Sequence, residues 1–277
     1  MKSHRFLSTL YLVLILTILS CRSTSDEPDA ETNGNLQLKF ENGFNNLGNV
    51  VLNQTTQTSL NGQKHQFSTL KYIISNITLI DDSGKEFRYH YNDPDQGAFI
   101  ISQNEAKAGI VFIDLKDIPA GRYRQIKYGL GISQAAYLLG QDGQGIFWEK
   151  AKKEGLTWSW AAGYIFSRLE GRYGNTTADT EFMNHCGNVG NAEANGTPDL
   201  YREITLTLPT TARISANIIP SIHITADLNQ FLSGAHQLIL NKNTDMAMGS
   251  GSASEPHLIQ VTDNLSAMFK VDHVHND

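Results

Sequence analysis

The chain has 277 residues, 40% of them hydrophobic, and a formal net charge of −6. Such an acidic balance lacks the basic face that phosphate binding requires, which argues against nucleic acid as a partner. The only two cysteines are Cys21 and Cys186, so a disulfide-dense scaffold is excluded.

The chain opens with Lys2 and Arg5, then a nearly unbroken apolar run from Tyr11 to Leu19, then Ser20-Cys21. That is the layout of a secretory signal, and its apolar core is short of the about 20 residues a membrane-spanning helix needs. Ile18-Leu19-Ser20-Cys21 resembles the bacterial lipobox, in which the cysteine is lipidated and becomes the new N-terminus. Residues 1–20 therefore read as a lipoprotein signal peptide and Cys21 as the lipidation site and membrane anchor. Residues 21–35, polar, acidic and free of aromatic side chains, read as a flexible tether. Residues 36–277 read as one domain. The expected location is the cell envelope, as an outer-membrane lipoprotein on the periplasmic or surface face. Without residues 1–20 the chain carries 20 basic and 28 acidic side chains, a net charge of −8.

From residue 36 onward the dominant pattern is short period-2 runs between turn residues, the signature of strands. Leu36, Leu38 and Phe40 alternate with polar neighbours. Phe67 to Ile80 reads as a strand pair or one long bent strand, and Asp81-Asp82-Ser83-Gly84 as a turn. Further strands are expected at 87–91, 109–115, 123–132, 164–169, 201–208, 221–227, 236–240 and 268–275. Helical composition is confined to 133–139, to 147–154 ahead of Gly155, and to a turn at 227–232 capped by Asp227. The expected fold is all-β: an antiparallel β-sandwich or distorted barrel with long loops and one or two short helices. Residues 171–198, polar and rich in Gly and Asn, read as one long functional loop.

The chain has no nucleophile elbow, no H-E-x-x-H, no phosphate-binding glycine loop and no C-x-x-C, so no enzyme activity is expected. The histidines carry more information. His273 and His275 lie at i and i+2 on a predicted strand, which puts both rings on one face about 6.5–7 Å apart. Two imidazoles so placed can reach one metal ion at about 2 Å each. In a regular strand Phe269 and Val271 share that face, so both histidines are expected to point into the apolar interior, where each ring nitrogen needs a partner. Two solvated histidines on a frayed C-terminus are the competing reading. His185-Cys186, in the long predicted loop, and the Met246-x-Met248 pair offer donors suited to soft ions such as Cu(I). Trp158 and Trp160, as W-x-W on a strand, would share a face and could wall such a site from water. His223, between Ile222 and Ile224, is assigned to a solvated face. An Asp/Asn-rich loop leaves room for Ca²⁺.

Taken together, these stretches resemble the methanobactin-associated copper-binding protein family, called MbnP-like. The resemblance rests on Tyr72 to Ile77, Ile118-Pro119-Ala120-Gly121-Arg122-Tyr123, Tyr128 to Ile132, and Trp158-Ser159-Trp160 through Phe166 with Leu169-Glu170-Gly171. His185-Cys186-Gly187 and the closing Asp272 to Asn276 complete it. It implies an exported β-sandwich that binds copper for acquisition, storage or buffering, with Cu(I) favoured. His185, His273 and His275 are the expected ligands, with Cys186 and Met248 as weaker ones. It also implies a di-haem cytochrome peroxidase as partner, which in some members oxidises a tryptophan to kynurenine. Here Trp148, Trp158 and Trp160 all fall outside residues 87–103, where that tryptophan is expected. A metal-free module that binds a partner protein or glycan is the alternative, and a redox enzyme built on Cys186 a third.

Overall fold

The computed structural model describes residues 33–140, 142–250 and 256–277, so the expected signal peptide, Cys21 and most of the expected tether lie outside the described residues. Alternation of apolar and polar side chains builds two sheets. The smaller has five strands. Gly34–Phe44 lies at its centre, its even-numbered residues from Leu36 to Phe44 buried in strict alternation. It pairs in parallel with Ser221–Asp227 and antiparallel with Ile110–Ile118 and the short Gly48–Asn49. The C-terminal strand, Phe269–His275, runs antiparallel along the far side of Ser221–Asp227.

The larger sheet has nine strands, in the order Arg202–Ile214, Gly121–Leu130, Lys64–Asp81, Ile165–Gly174, Thr180–Gly187 and Met246–Gly249, with three short strands added along Lys64–Asp81. That strand runs for 18 residues and is buried on both faces over its second half, which explains its near-continuous apolar sequence. The two sheets pack face to face, as expected for a sandwich, and are not closed into a barrel. Phe40 and Phe269 from the smaller sheet meet Tyr128 edge-on, and Phe269 also meets Tyr72. Fully burying one such ring contributes about 2–3 kcal/mol. The sheets are mixed rather than purely antiparallel, because Met246–Gly249 also pairs in parallel, with Thr180–Gly187.

Three expectations about elements are corrected. The segment 171–198 is not one loop: Thr180–Gly187 is a strand, paired with Ile165–Gly174 on one side. Conversely, 236–240 is not a strand, and His257–Ser266 is a helix that inserts Leu258, Val261 and Leu265 into the core. Short helices at Gln134–Tyr137 and Gly145–Lys153 fall where composition places them, the first capped by Ser133. Asp227 does not cap Gln230–Ser233; its carboxylate accepts from the Asn229 N–H at 3.1 Å in the preceding turn.

Candidate metal centre

The C-terminal strand sets the geometry. Opposite Ser221–Asp227, Ala226 pairs with Phe269 and Ile224 with Val271, both pairs facing the core. The register then shifts: His223 pairs with His273, leaving Asp272 as an extra residue. This β-bulge reverses the facing of everything after it. Val274, opposite the fully buried Ile222, turns to the core side, while His273 and His275 turn outward beside His223. The expectation that the two histidines point into the interior is thus corrected. The strand end is also not frayed, because Asn276 bonds the backbone of Thr211 and Arg213 at 3.1 and 2.7 Å.

On that outer face three imidazoles stand in a row. The centroids of His223 and His273 are 4.7 Å apart, and those of His273 and His275 4.6 Å, with each pair near perpendicular. Asp272 Oδ2 lies 2.7 Å from His273 Nδ1, a contact that holds the aspartate below the usual carboxylate range. His223 Nε2 is 2.8 Å from Glu41 Oε2. The carboxylate approaches off the N–H direction, so this buried nitrogen has no aligned hydrogen-bond partner. The donor atoms of His223, Asp272 and His273 all lie within 4.8 Å of one another. Among the described residues this is the single such grouping of three His, Cys, Asp or Glu donors. Two nitrogens bound to one ion at about 2.0–2.1 Å each are at most about 4 Å apart, so small side-chain rotations close the set. The unmatched His223 nitrogen and the imidazole–carboxylate composition fit a borderline transition-metal ion such as copper.

The other predicted donors lie elsewhere. His185 sits on the outer face of the larger sheet, where its Nε2 meets Glu170 Oε1 at 2.8 Å. Arg168 reaches the same oxygen at 2.8 Å and Thr69 donates to the other at 2.8 Å. Led by the His185 contact, these bonds draw Glu170 down to about 2. The trio and His185 therefore face away from each other on opposite sides of the sandwich and cannot share an ion. Cys186, the next residue along, faces the core. Burial pushes its thiol up to about 11, so it offers no thiolate at neutral pH. Met248 lies on the edge strand opposite His185, about half exposed. Trp158 and Trp160 do not lie on a strand or share a face: Trp158 is buried, its indole donating to Asn188 O at 2.9 Å, and Trp160 is exposed. Their rings lie 5.5 Å from each other, and neither packs against the imidazole trio.

Sequence reasoning did not group His223 with the other candidate donors. Its alternation between Ile222 and Ile224 did place it on an outer face. What the sequence hid was the cross-strand register that sets it opposite His273.

The fold and this face together define a two-sheet β-sandwich protein carrying an imidazole–carboxylate cluster of metal-ligand type. The chain belongs to the MbnP family, whose model matches residues 33–251, a family associated with methanobactin and copper. Among solved structures, MbnP from Methylosinus trichosporium is similar in fold. Its TM-score is 0.50 at 13% identity, over 83% of this chain and 87% of that one. No curated protein matches by sequence.

Proposed function

We propose that this protein is an exported, lipid-anchored copper-binding protein that holds the ion on the outer face of its smaller sheet. His223, His273 and His275 supply the nitrogens, with Asp272 and Glu41 as flanking carboxylates. The observation that supports this best is the imidazole trio created by the Asp272 bulge, and membership of the MbnP family points to copper. Three imidazoles serve either copper oxidation state, so the sulfur argument for Cu(I) does not apply at this face. The role is acquisition, storage or buffering rather than catalysis. Anchoring through Cys21 and an envelope location belong to the same proposal and rest on the sequence. For a peroxidase partner there is less support, since none of the three indoles packs against these rings.

The test is a Cu(II) titration followed by electron paramagnetic resonance and thermal melting. Wild type should bind one equivalent with nitrogen hyperfine coupling. At a free-ion level of 100 times Kd it should gain about 2.7 kcal/mol of stability. The His223→Ala/His273→Ala/His275→Ala variant should fold and lose both effects. Unchanged copper affinity in that variant would sink this site, and a wild type that binds no copper and melts unchanged would leave the metal-free module as the better reading.

A further inference from the structure

The parallel pairing of Thr180–Gly187 with Met246–Gly249 sets Met183 beside Met246 and His185 beside Met248. Partners on adjacent parallel strands share a face and sit about 4.8 Å apart. That face is the outer one, because His185 meets Glu170 there while Cys186 turns into the core. Three thioethers and one imidazole thus form a two-by-two array on the larger sheet, on the far side of the sandwich from the trio. Met246 and Met248 are 57% and 52% exposed, so packing does not account for them. A groove of about 670 Å³, lined by Met183, Met246 and Glu170, opens beside the array.

The chemistry of the array is selective. Glu170 engages Nε2 of His185, so in the tautomer that donates there Nδ1 carries the lone pair; a carboxylate holding the far nitrogen is the usual setting of a ligating histidine. The oxygens of Glu170 are already engaged by His185, Arg168 and Thr69. A hard divalent ion therefore finds no unengaged oxygen on Glu170. The negative charge of Glu170 is offset by Arg168, so the array presents thioether and imidazole donors, which suit a soft monovalent ion.

We propose that Met183, His185, Met246 and Met248 form a second metal site, thioether-rich and selective for Cu(I), independent of the imidazole trio.

The experiment uses the full chain carrying His223→Ala, His273→Ala and His275→Ala, so that failure of the trio as a site leaves this test intact. Anaerobic competition against a chromogenic Cu(I) chelator should show one equivalent of Cu(I) retained. With methyl-labelled methionine, the signals of Met183, Met246 and Met248 should shift on adding Cu(I) or Ag(I). Met268, buried in the core, is the remaining methionine after residue 20 and its signal should stay put. Adding Met246→Leu and Met248→Leu keeps the apolar bulk and should weaken Cu(I) binding at least tenfold, while His185→Gln keeps a donor toward Glu170 and should do the same. A folded trio variant that retains no Cu(I), or whose affinity ignores the leucine substitutions, would overturn the site.

Discussion

Replacing His65 by leucine isolates the pH dependence that one buried imidazole imposes on the whole domain. His65 is fully buried among Phe44, Phe67 and Phe231, all edge-on to its ring, and neither nitrogen has an aligned hydrogen-bond partner. Burial pulls it from 6.5 down to about 4. The unfolded chain takes up a proton as pH falls below about 6.5, whereas the folded chain does so only near 4. Stability is therefore lost across that window and the loss levels off below it. At 1.36 kcal/mol per pH unit the cost reaches about 3 kcal/mol by pH 4. Urea unfolding of wild type and His65→Leu at pH 7 and pH 4 measures it by difference. Leucine keeps the site apolar, so the variant should match or exceed wild type at pH 7 and outlast it by about 3 kcal/mol at pH 4. Parallel pH profiles for the two proteins would refute the reasoning, since every other titrating group is common to both.

Two further outcomes follow from the core. The Cys186 thiol, buried and pushed up to about 11, should ignore a thiol reagent at pH 8 in the folded protein and react at once in urea, as followed by absorbance. Gly163→Ala should cost about 3 kcal/mol, measured by thermal or urea unfolding. Gly163 sits at φ +125°, and an added Cβ would lie 2.2 Å from Asn188 O, the carbonyl that accepts the Trp158 indole. Indole fluorescence should shift with it.

Most of the sandwich was legible because its strands alternate cleanly. Leu36, Leu38 and Phe40 and the pair Ile222 and Ile224 announce one buried face each, and both faces are found in the core. Thr180–Gly187 escaped notice because its inner face carries Asn184 and Cys186 beside Phe182. Asn184 is buried there only because it bonds Thr244 O and His257. The helix His257–Ser266 was readable in principle from Leu258, Val261 and Leu265 at helical spacing. No local signal could show that the strand of His185 and the strand of His273 belong to different sheets. That separation is a matter of tertiary pairing, and it divides one expected ligand set into two groups.

The bulge at Asp272, by contrast, is written into the sequence as a slip of phase. Phe269 and Val271 keep period 2, but the next apolar residue is Val274, not residue 273. Continuing the regular register would bury two imidazoles and expose Val274. Each imidazole without a partner costs about 1–3 kcal/mol, and exposing the valine forfeits about 1.5 kcal/mol more. Inserting one unpaired residue forfeits little more than a ladder hydrogen bond, about 1 kcal/mol. The bulge wins by several kcal/mol whether or not a metal is present, so the outward face with its three imidazoles is set by the apo chain's own burial energetics. A site preorganised in this way costs a binding ion little folding free energy, and the extra residue that makes the turn, Asp272, stands among the donors itself.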